Sequence, residues 1–299
     1  MMNQATMVCE ICNSTGGKIH HVREMMFGWG DEFEYLECPA CGCLSLVDVP
    51  ADLSKYYPES YYSMVPGNSS VLRKLRDYIY LSSLSFLVNW RPRLDLDVIR
   101  RCKLRKDQEL LDVGCGAGLL LGDLRELGYR AEGVDPFAAG DIKDQFGTRV
   151  FKKSLDEVTG TYDVIIFRHS LEHMPHQLEV LRSARKRLRP GGICVVGIPI
   201  VGWAWREYGV NWSQVDAPRH LFLHTVESFK VVAEKAGFQL KSVIYDSNDF
   251  QFWSSELYRE GKKLQGSVPP SWITRMKMRR RAKALNRAKD GDTVQLYLT

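Results

Sequence analysis

The sequence predicts a doubly wound α/β domain on a mostly parallel sheet, preceded by a small N-terminal metal-binding module. Three observations predict it. From residue 109 onward, apolar strand-like runs alternate with segments of helical spacing, the pattern of parallel strands joined by crossover helices. The first of these runs passes directly into a glycine turn, Gly114-Cys-Gly-Ala-Gly118. Ahead of it lie two C-x-x-C pairs, Cys9–Cys12 and Cys38–Cys41.

Taken in order, the elements justify that class. Each cysteine pair is followed by a turn-forming residue, Asn13 or Gly42, so each forms a knuckle whose two thiolates converge on one ion. Two knuckles complete a tetrahedral S4 set, which suits Zn2+. Four thiolates leave no open coordination position, so the ion is expected to be structural. A segment of this size builds too small a core to fold alone, and metal binding supplies the missing free energy. Cys43 is an expected bystander that could replace Cys41, and His20 and His21 are weaker ligand candidates. Residues 1–48 therefore read as a zinc-ribbon-like module. Residues 49–108 read as a connector, tyrosine-rich at Tyr56, Tyr57, Tyr61 and Tyr62 and punctuated by Pro50, Pro58 and Pro66, followed by a helical stretch over 69–102. Residues 109–299 form the main domain.

Within it, Glu109–Val113 is a short apolar strand and Leu119–Leu127 a helix stopped by Gly128. Arg130–Val134 is a strand closing on Asp135-Pro136, Phe137–Phe146 a helix, and Val150 marks a brief strand. Asp163–Phe167 is a continuous apolar strand, as a buried parallel strand should be. Gln177–Leu188 is a helix closed by Pro190-Gly191-Gly192, and Ile193–Ile198 a strand. Thr225–Ala236 is a helix stopped by Gly237, Phe238–Tyr245 a strand, and Thr293–Leu298 an edge strand after Gly291-Asp292.

Composition narrows the class further. The chain has 299 residues, 44% hydrophobic and 26% charged, enough apolar surface to exclude disorder over its whole length. The longest apolar stretch, Ile79–Val88, is interrupted by serines and falls short of the roughly 20 residues a bilayer requires. Met1–Cys9 carries neither a basic n-region nor an apolar h-region, so no signal peptide is expected. Cytoplasmic thiols, kept reduced, are the expectation for the cysteines. The net charge of +5 is unevenly spread: a basic helical insertion at about 250–290 holds Arg259, Lys262, Lys263, Arg275, Lys277, Arg279, Arg280, Arg281, Lys283, Arg287 and Lys289 against Glu260 alone between 259 and 289. Such a block can meet phosphates or an anionic membrane surface, or serve as a solvated helix face.

The glycine turn points to a ligand. In open α/β sheets ligands sit at the carboxyl ends of the strands. The spacing here is G-x-G-x-G, with Leu119 where a dinucleotide fingerprint needs glycine, so a pyrophosphate cradle is disfavoured. Asp135, at the tip of the next strand, can accept hydrogen bonds from both hydroxyls of a ribose. Turn and carboxylate together suit a nucleoside-bearing ligand without a diphosphate.

Leu110-Leu-Asp-Val-Gly-Cys-Gly-Ala-Gly118 resembles the first motif of class I S-adenosylmethionine-dependent methyltransferases. Gly133-Val-Asp135, Tyr162–Phe167, His169-Ser-Leu-Glu-His173 and Leu188–Gly192 follow in the same order. The resemblance implies a doubly wound, Rossmann-like sheet of seven strands, mostly parallel, with the last strand antiparallel. It implies S-adenosylmethionine as cofactor, with Gly114, Gly116 and Gly118 lining its amino-acid end, Asp112 steadying the turn, Asp135 holding the ribose, and Arg168 and His169 near the sulfonium. The flanking segments, the paired C-x-x-C module with Lys55–Tyr62 and Asp216-Ala-Pro-Arg-His220, are similar to bacterial methyltransferases of surface-polysaccharide and nucleotide-sugar biosynthesis. Zinc-bearing sugar C-methyltransferases are similar in layout, though the segment after the 163–167 strand differs.

The chemistry asks the protein to align two partners and, for a hydroxyl acceptor, to remove a proton, a task histidine suits near neutral pH. His220 is the first candidate base. The Glu172–His173 pair could act as base and orienter, bind a divalent cation, or brace its loop. His169 lies on the same face, and His176 and His224 read as surface or capping positions. The long loop before His220 carries Trp203, Trp205, Tyr208 and Trp212, whose flat faces could stack a sugar or base, and Arg219, which could pair with an acceptor phosphate or carboxylate. The favoured acceptor is a small molecule or glycan intermediate containing a sugar. RNA is the second choice, with the 259–289 block on phosphates, although no Asn/Asp-Pro-Pro-Tyr/Phe tetrapeptide follows the 163–167 strand. A non-catalytic cofactor-holding module is the third.

Overall fold

A computed structural model describes residues 7–58 and 94–299. Tyr61, Tyr62, Pro66 and most of the helical stretch expected over 69–102 lie outside the described residues. The N-terminal segment forms β1 (Lys18–Arg23), β2 (Glu32–Glu37) and β3 (Leu44–Leu46), paired antiparallel in that order. Their sheet takes its fourth strand from far along the chain, β10 (Phe222–Leu223), antiparallel to β3.

The main sheet has eight strands. The described residues before it form α1 (Leu94–Arg101). Then come β4 (Glu109–Val113), α2 (Leu119–Glu126), β5 (Arg130–Val134), β6 (Ile142–Asp144), β7 (Gly147–Phe151) and β8 (Tyr162–Arg168). They are followed by α3 (Gln177–Arg187), β9 (Leu188–Pro199), α4 (Trp203–Tyr208), α5 (Val226–Lys235), β11 (Leu240–Tyr245), α6 (Phe250–Arg259), α7 (Trp272–Arg287) and β12 (Thr293–Leu298). The spatial order is β11-β12-β9-β8-β4-β5-β7-β6. β7, β5, β4, β8 and β9 are mutually parallel, and β12 runs antiparallel to both its neighbours. The seven expected strands are present, and β6 adds an eighth at the far edge.

Period-2 alternation on strands buried on both faces builds two cores. One face carries Leu111, Val113, Ile165, Phe167, Val196 and Leu296. The other carries Leu110, Val164, Ile166, Val195 and Tyr297. Helices α3 and α5 cover the first face through Leu181, Ala184, Phe229 and Val232, and α1 and α2 cover the second through Ile99, Leu120 and Leu124. The first core continues into the N-terminal module through Ile11, Val22, Tyr35, Leu44 and Leu46. Module and sheet therefore bury one continuous apolar volume, each such side chain contributing about 1.5–3 kcal/mol.

Three expectations are corrected. Phe137–Phe146 is not a helix but a turn followed by the β6–β7 hairpin. There Asp144 Oδ1 accepts the Phe146 N–H at 2.8 Å, an Asx turn, and Gly147 supplies the positive φ of +100°. Pro190-Gly191-Gly192 lies within β9, which pairs with β8 through a register shift there. Thr293–Leu298 is no edge strand: β12 sits between β9 and β11 with all six residues buried.

Candidate active site

The tips of β4, β5, β8 and β9 bring the predicted residues to one edge of the sheet, the expected place for a ligand in this architecture. At the tip of β4 the chain reverses through Gly114, Gly116 and Gly118 at φ of +73°, +53° and +66°. Side chains are confined as well: a Cβ on Gly114 would lie 2.5 Å from Ser170 Cβ, and one on Gly118 would lie 2.4 Å from Val150 Cγ2. Only glycine meets both demands. Asp135, buried at the tip of β5, cross-links the turn. Its Oδ2 accepts the Gly116 N–H at 2.8 Å and its Oδ1 accepts the Phe137 N–H at 2.9 Å. Asp112 is buried within β4 beside Gly133. Cys115 packs against Gly133, where an added Cβ would meet its Sγ at 2.6 Å, and burial pushes its thiol pKa well up.

Past β8, Arg168 ends the strand and His169 takes φ +51°, a conformation uncommon for a residue with a side chain. Ser170 Oγ donates to Val113 O at 2.6 Å, which seats the 169–173 loop against the glycine turn. Glu172 is buried, and its backbone carbonyl accepts the Leu221 N–H at 2.8 Å, tying this loop to the one that carries His220.

The structure thus brings Glu172, His173 and His220 together, one potential ligand or base atom from each lying within 4.8 Å of the others. His173 Nδ1 meets Arg219 O at 2.9 Å and His220 Nδ1 meets Gln214 O at 2.7 Å. A carbonyl can only accept, so in both rings Nδ1 carries a hydrogen. The rings meet edge to face at 4.6 Å. Burial, reinforced by the charge of His220, pushes the His173 pKa down to about 4, so at neutral pH that ring is neutral. Neither Glu172 oxygen receives a hydrogen bond among the described residues. The imidazole of His169, 48% exposed, stands with Nδ1 3.4 Å from Glu172 Oε1.

Behind the trio lies a buried ionic cluster. Arg219, fully buried, donates from Nε and Nη2 to Asp216 at 3.0 and 2.6 Å, and from Nη2 to Glu24 Oε1 at 3.0 Å. Glu24 also accepts the N–H groups of Phe27 and Trp29. Burial opposes the charge on Asp216, but Arg219 outweighs it and holds the carboxyl below its ordinary value. This corrects the expectation that Arg219 meets an acceptor: its guanidinium is already engaged and out of reach. The indoles are corrected too. Trp205, Tyr208 and Trp212 are buried, Trp212 Nε1 donating to Asp292 Oδ2 at 3.2 Å, and Trp203 is covered by Arg281 at 4.4 Å. His224 is no surface residue but is buried between Gln177 Oε1 at 2.7 Å and Ser228 Oγ at 2.9 Å, while His176 stands at the start of α3.

Sequence reasoning missed Glu24, whose position between Arg23 and Met25 in the N-terminal module gives no hint of its partner. Asp216 had a signal, its spacing three residues before Arg219 in a charged pair within an otherwise buried loop. Tyr35, whose hydroxyl donates to His220 O at 2.8 Å, had none.

In the N-terminal module Cys9, Cys12, Cys38 and Cys41 bring their sulfurs within 4.8 Å of one another, with Cys9–Cys41 at 3.7 Å and Cys12–Cys38 at 3.5 Å. A tetrahedron of about 2.3 Å zinc–sulfur bonds has edges of roughly 3.8 Å, so the set fits such an ion. Cys43 lies outside it, 3.9 Å from His224 Nδ1, and His20 bonds Glu37 instead at 2.7 Å.

Residues 87–243, just over half of the chain, match the family model for a methyltransferase domain. Among similar proteins, the ubiquinone biosynthesis O-methyltransferase of Aliivibrio fischeri is 31% identical over 96 residues, 28% of this chain and 41% of the relative. That of a Bradyrhizobium species is 27% identical over 152 residues, 43% of this chain and 60% of the relative. The chain thus spans about half the length of the curated relatives it matches. Similar solved structures include an S-adenosylmethionine-dependent methyltransferase from Archaeoglobus fulgidus, at 18% identity and TM-score 0.44, covering 69% of this chain and 92% of that one. Another from Mesorhizobium loti has 14% identity and TM-score 0.42, covering 68% and 96%.

Proposed function

The chain belongs to the methyltransferase-domain family, and on that premise we propose that it transfers a methyl group from S-adenosylmethionine to a hydroxyl of a sugar-containing small molecule or glycan intermediate, in bacterial surface-polysaccharide biosynthesis. The observation that carries the reading is one juxtaposition: a turn of three left-handed glycines, cross-linked to the buried Asp135, lies directly against the loop that presents Glu172 and His173 toward His220. The O-methyltransferase names of the relatives support a hydroxyl acceptor.

S-adenosylmethionine, when bound, supplies a methyl on a sulfonium already activated for in-line displacement. The chain's own residues hold and exclude. Gly114, Gly116 and Gly118 let a ligand approach the backbone closely, and Asp112 steadies their turn from beneath. Asp135, whose oxygens each retain a free acceptor direction beside the amide they already bind, would take the ribose hydroxyls. Arg168 and His169 flank the space above the turn. His220 is the base: its Nδ1–H is anchored on Gln214 O, which leaves Nε2, 3.9 Å from Asp216 Oδ2, to take the proton of an acceptor hydroxyl. His173 and Glu172 complete that wall, the carboxylate compensating the charge His220 gains. In the module, Cys9, Cys12, Cys38 and Cys41 would hold Zn2+ as a structural ion.

A second reading of the trio is favoured by the Glu172 carboxylate, buried and approached only at Oε1, by the His169 ring at 3.4 Å, among the contacts of the described residues. Glu172, His173 and His220 would then hold a divalent cation, and the cation would lower the pKa of an acceptor hydroxyl. Incubation with labelled S-adenosylmethionine and a panel of nucleotide sugars, glycan intermediates and RNA tests the proposal. Label in a sugar hydroxyl is the expected result, and label confined to RNA overturns it. Full turnover after exhaustive chelation, with His220→Ala inactive, decides for the base over the cation.

A further inference from the structure

Between β11 and β12 the chain carries α6 and α7, and residues 261–289 contain no acidic side chain. The cations of α7 divide by direction. Arg275 and Arg279 turn inward and bond Asp249 at 2.5 and 2.7 Å, while Arg281 lies over the rings of Trp203 and Phe252 at 4.4 and 5.2 Å. Lys277, Arg280, Lys283 and Arg287 are exposed, and none makes an ion pair among the described residues. Positions 273, 277, 280, 284 and 287 follow one another at spacings of four and three, so Ile273, Lys277, Arg280 and Arg287 share one face of the helix.

At the start of that face the molecule exposes apolar side chains within six residues of sequence. Val268 is 86% exposed, Trp272 70% and Ile273 54%. They are held there by structure. Leu264 and Gln265 donate their N–H groups to Met25 O and Met26 O at 3.0 and 2.7 Å, which pins the base of the loop. Pro269-Pro270 stiffens it, and Ser271 Oγ caps the helix on the Thr274 N–H at 3.3 Å.

We propose that this surface docks the protein on an anionic lipid bilayer, with Val268, Trp272 and Ile273 inserted at the interface and Lys277, Arg280, Lys283 and Arg287 laid on the headgroups. An indole beside aliphatic side chains, backed by cations along one helix face, is the arrangement an amphipathic interfacial helix uses. A nucleic acid would take the cations and the indole but would leave Val268 and Ile273 in water, since its binding surfaces reward charge and stacking rather than aliphatic insertion. The arrangement is independent of the acceptor and goes beyond the proposed reaction.

The test is co-sedimentation of the full chain with vesicles of phosphatidylcholine alone and of phosphatidylcholine with one quarter phosphatidylglycerol, at low and high salt. Expected are binding to the anionic vesicles, about a tenfold or greater loss for Lys277→Glu/Arg280→Glu, and a comparable loss for Trp272→Ser/Ile273→Ser at unchanged charge. Melting curves of both variants should match that of the parent, because all four side chains are exposed. Two outcomes overturn the proposal: no partition to anionic vesicles, or partition insensitive to the Trp272/Ile273 pair. A third does so as well, namely tight RNA binding with a steep salt dependence that survives loss of that pair while vesicle binding stays weak; it assigns the surface to nucleic acid.

Discussion

The two ends of the candidate site are built from different materials. The end at the tips of β4 and β5 is backbone: three glycines at positive φ, fixed by one carboxylate that accepts two amide hydrogens. The end carrying Glu172, His173 and His220 is side chain, and its geometry depends on a buried Asp216–Arg219–Glu24 cluster that reaches into the N-terminal module. A backbone site is specified locally and tolerates change elsewhere. A side-chain site held by distant buried charges inherits every weakness of its supports.

That contrast can be broken at either end. The largest expected effect is at the turn: Gly118→Val forces a Cβ to within 2.4 Å of Val150 in a left-handed conformation, and calorimetry should find no measurable affinity for S-adenosylmethionine. Next is Glu24→Ala. It removes a carboxylate fully buried against Arg219, and breaking a buried pair typically destabilises by about 3–5 kcal/mol. Chemical denaturation should show that loss, while the cofactor affinity of the folded fraction stays within about twofold; a large change in affinity would show that the two ends are not independent. His220→Ala should slow turnover roughly 100-fold, about 2.7 kcal/mol, as loss of a general base does, again with cofactor affinity intact; unchanged turnover removes His220 from the mechanism.

The smallest effect is a pH slope. Burial lowers the His224 pKa from the ordinary histidine value of 6.5 to about 4, so between those values the unfolded chain binds the proton that the folded chain refuses. Stability is full above about pH 6.5 and falls as the pH drops toward 4, by at most about 1.4 kcal/mol per unit for this group. Denaturation at pH 7, 6 and 5 should show the slope, and His224→Gln should reduce it, leaving the share that His173, held down to about 4 in the same way, contributes.

The same contrast separates what could be read in the sequence from what could not. Arg130–Val134, Glu109–Val113 and Thr293–Leu298 form strands with the boundaries their apolar runs predict, and the glycine turn with Asp135 assembles as its spacing implies, because each is decided within a few residues. Residues 137–146 misled because Phe137, Ala138 and Ala139 suit a helix, while the Asx turn at Asp144 and the positive φ of Gly147 commit the segment to a hairpin beside β5. The acceptor end was half legible. Glu172, His173 and His220 are visible as chemistry-bearing residues, but no local rule says that Arg219, one residue before His220, faces away to meet Glu24 across 195 positions of sequence. The tryptophans look available in the sequence because loops are usually exposed; three of the four aromatic side chains singled out there are instead consumed by packing against the sheet and α6.

The module's borrowed fourth strand has a consequence for biosynthesis. β3 finds its partner at Phe222–Leu223, and Thr225 Oγ1 donates to Cys41 O at 2.7 Å. On a ribosome adding about 5–20 residues per second, the earliest-made sheet waits roughly ten to thirty seconds with a bare rim. An intruding strand from another nascent chain could pair there in the interval. An ion gripping the two knuckles during that wait would guard the unfinished sheet before it serves the finished enzyme.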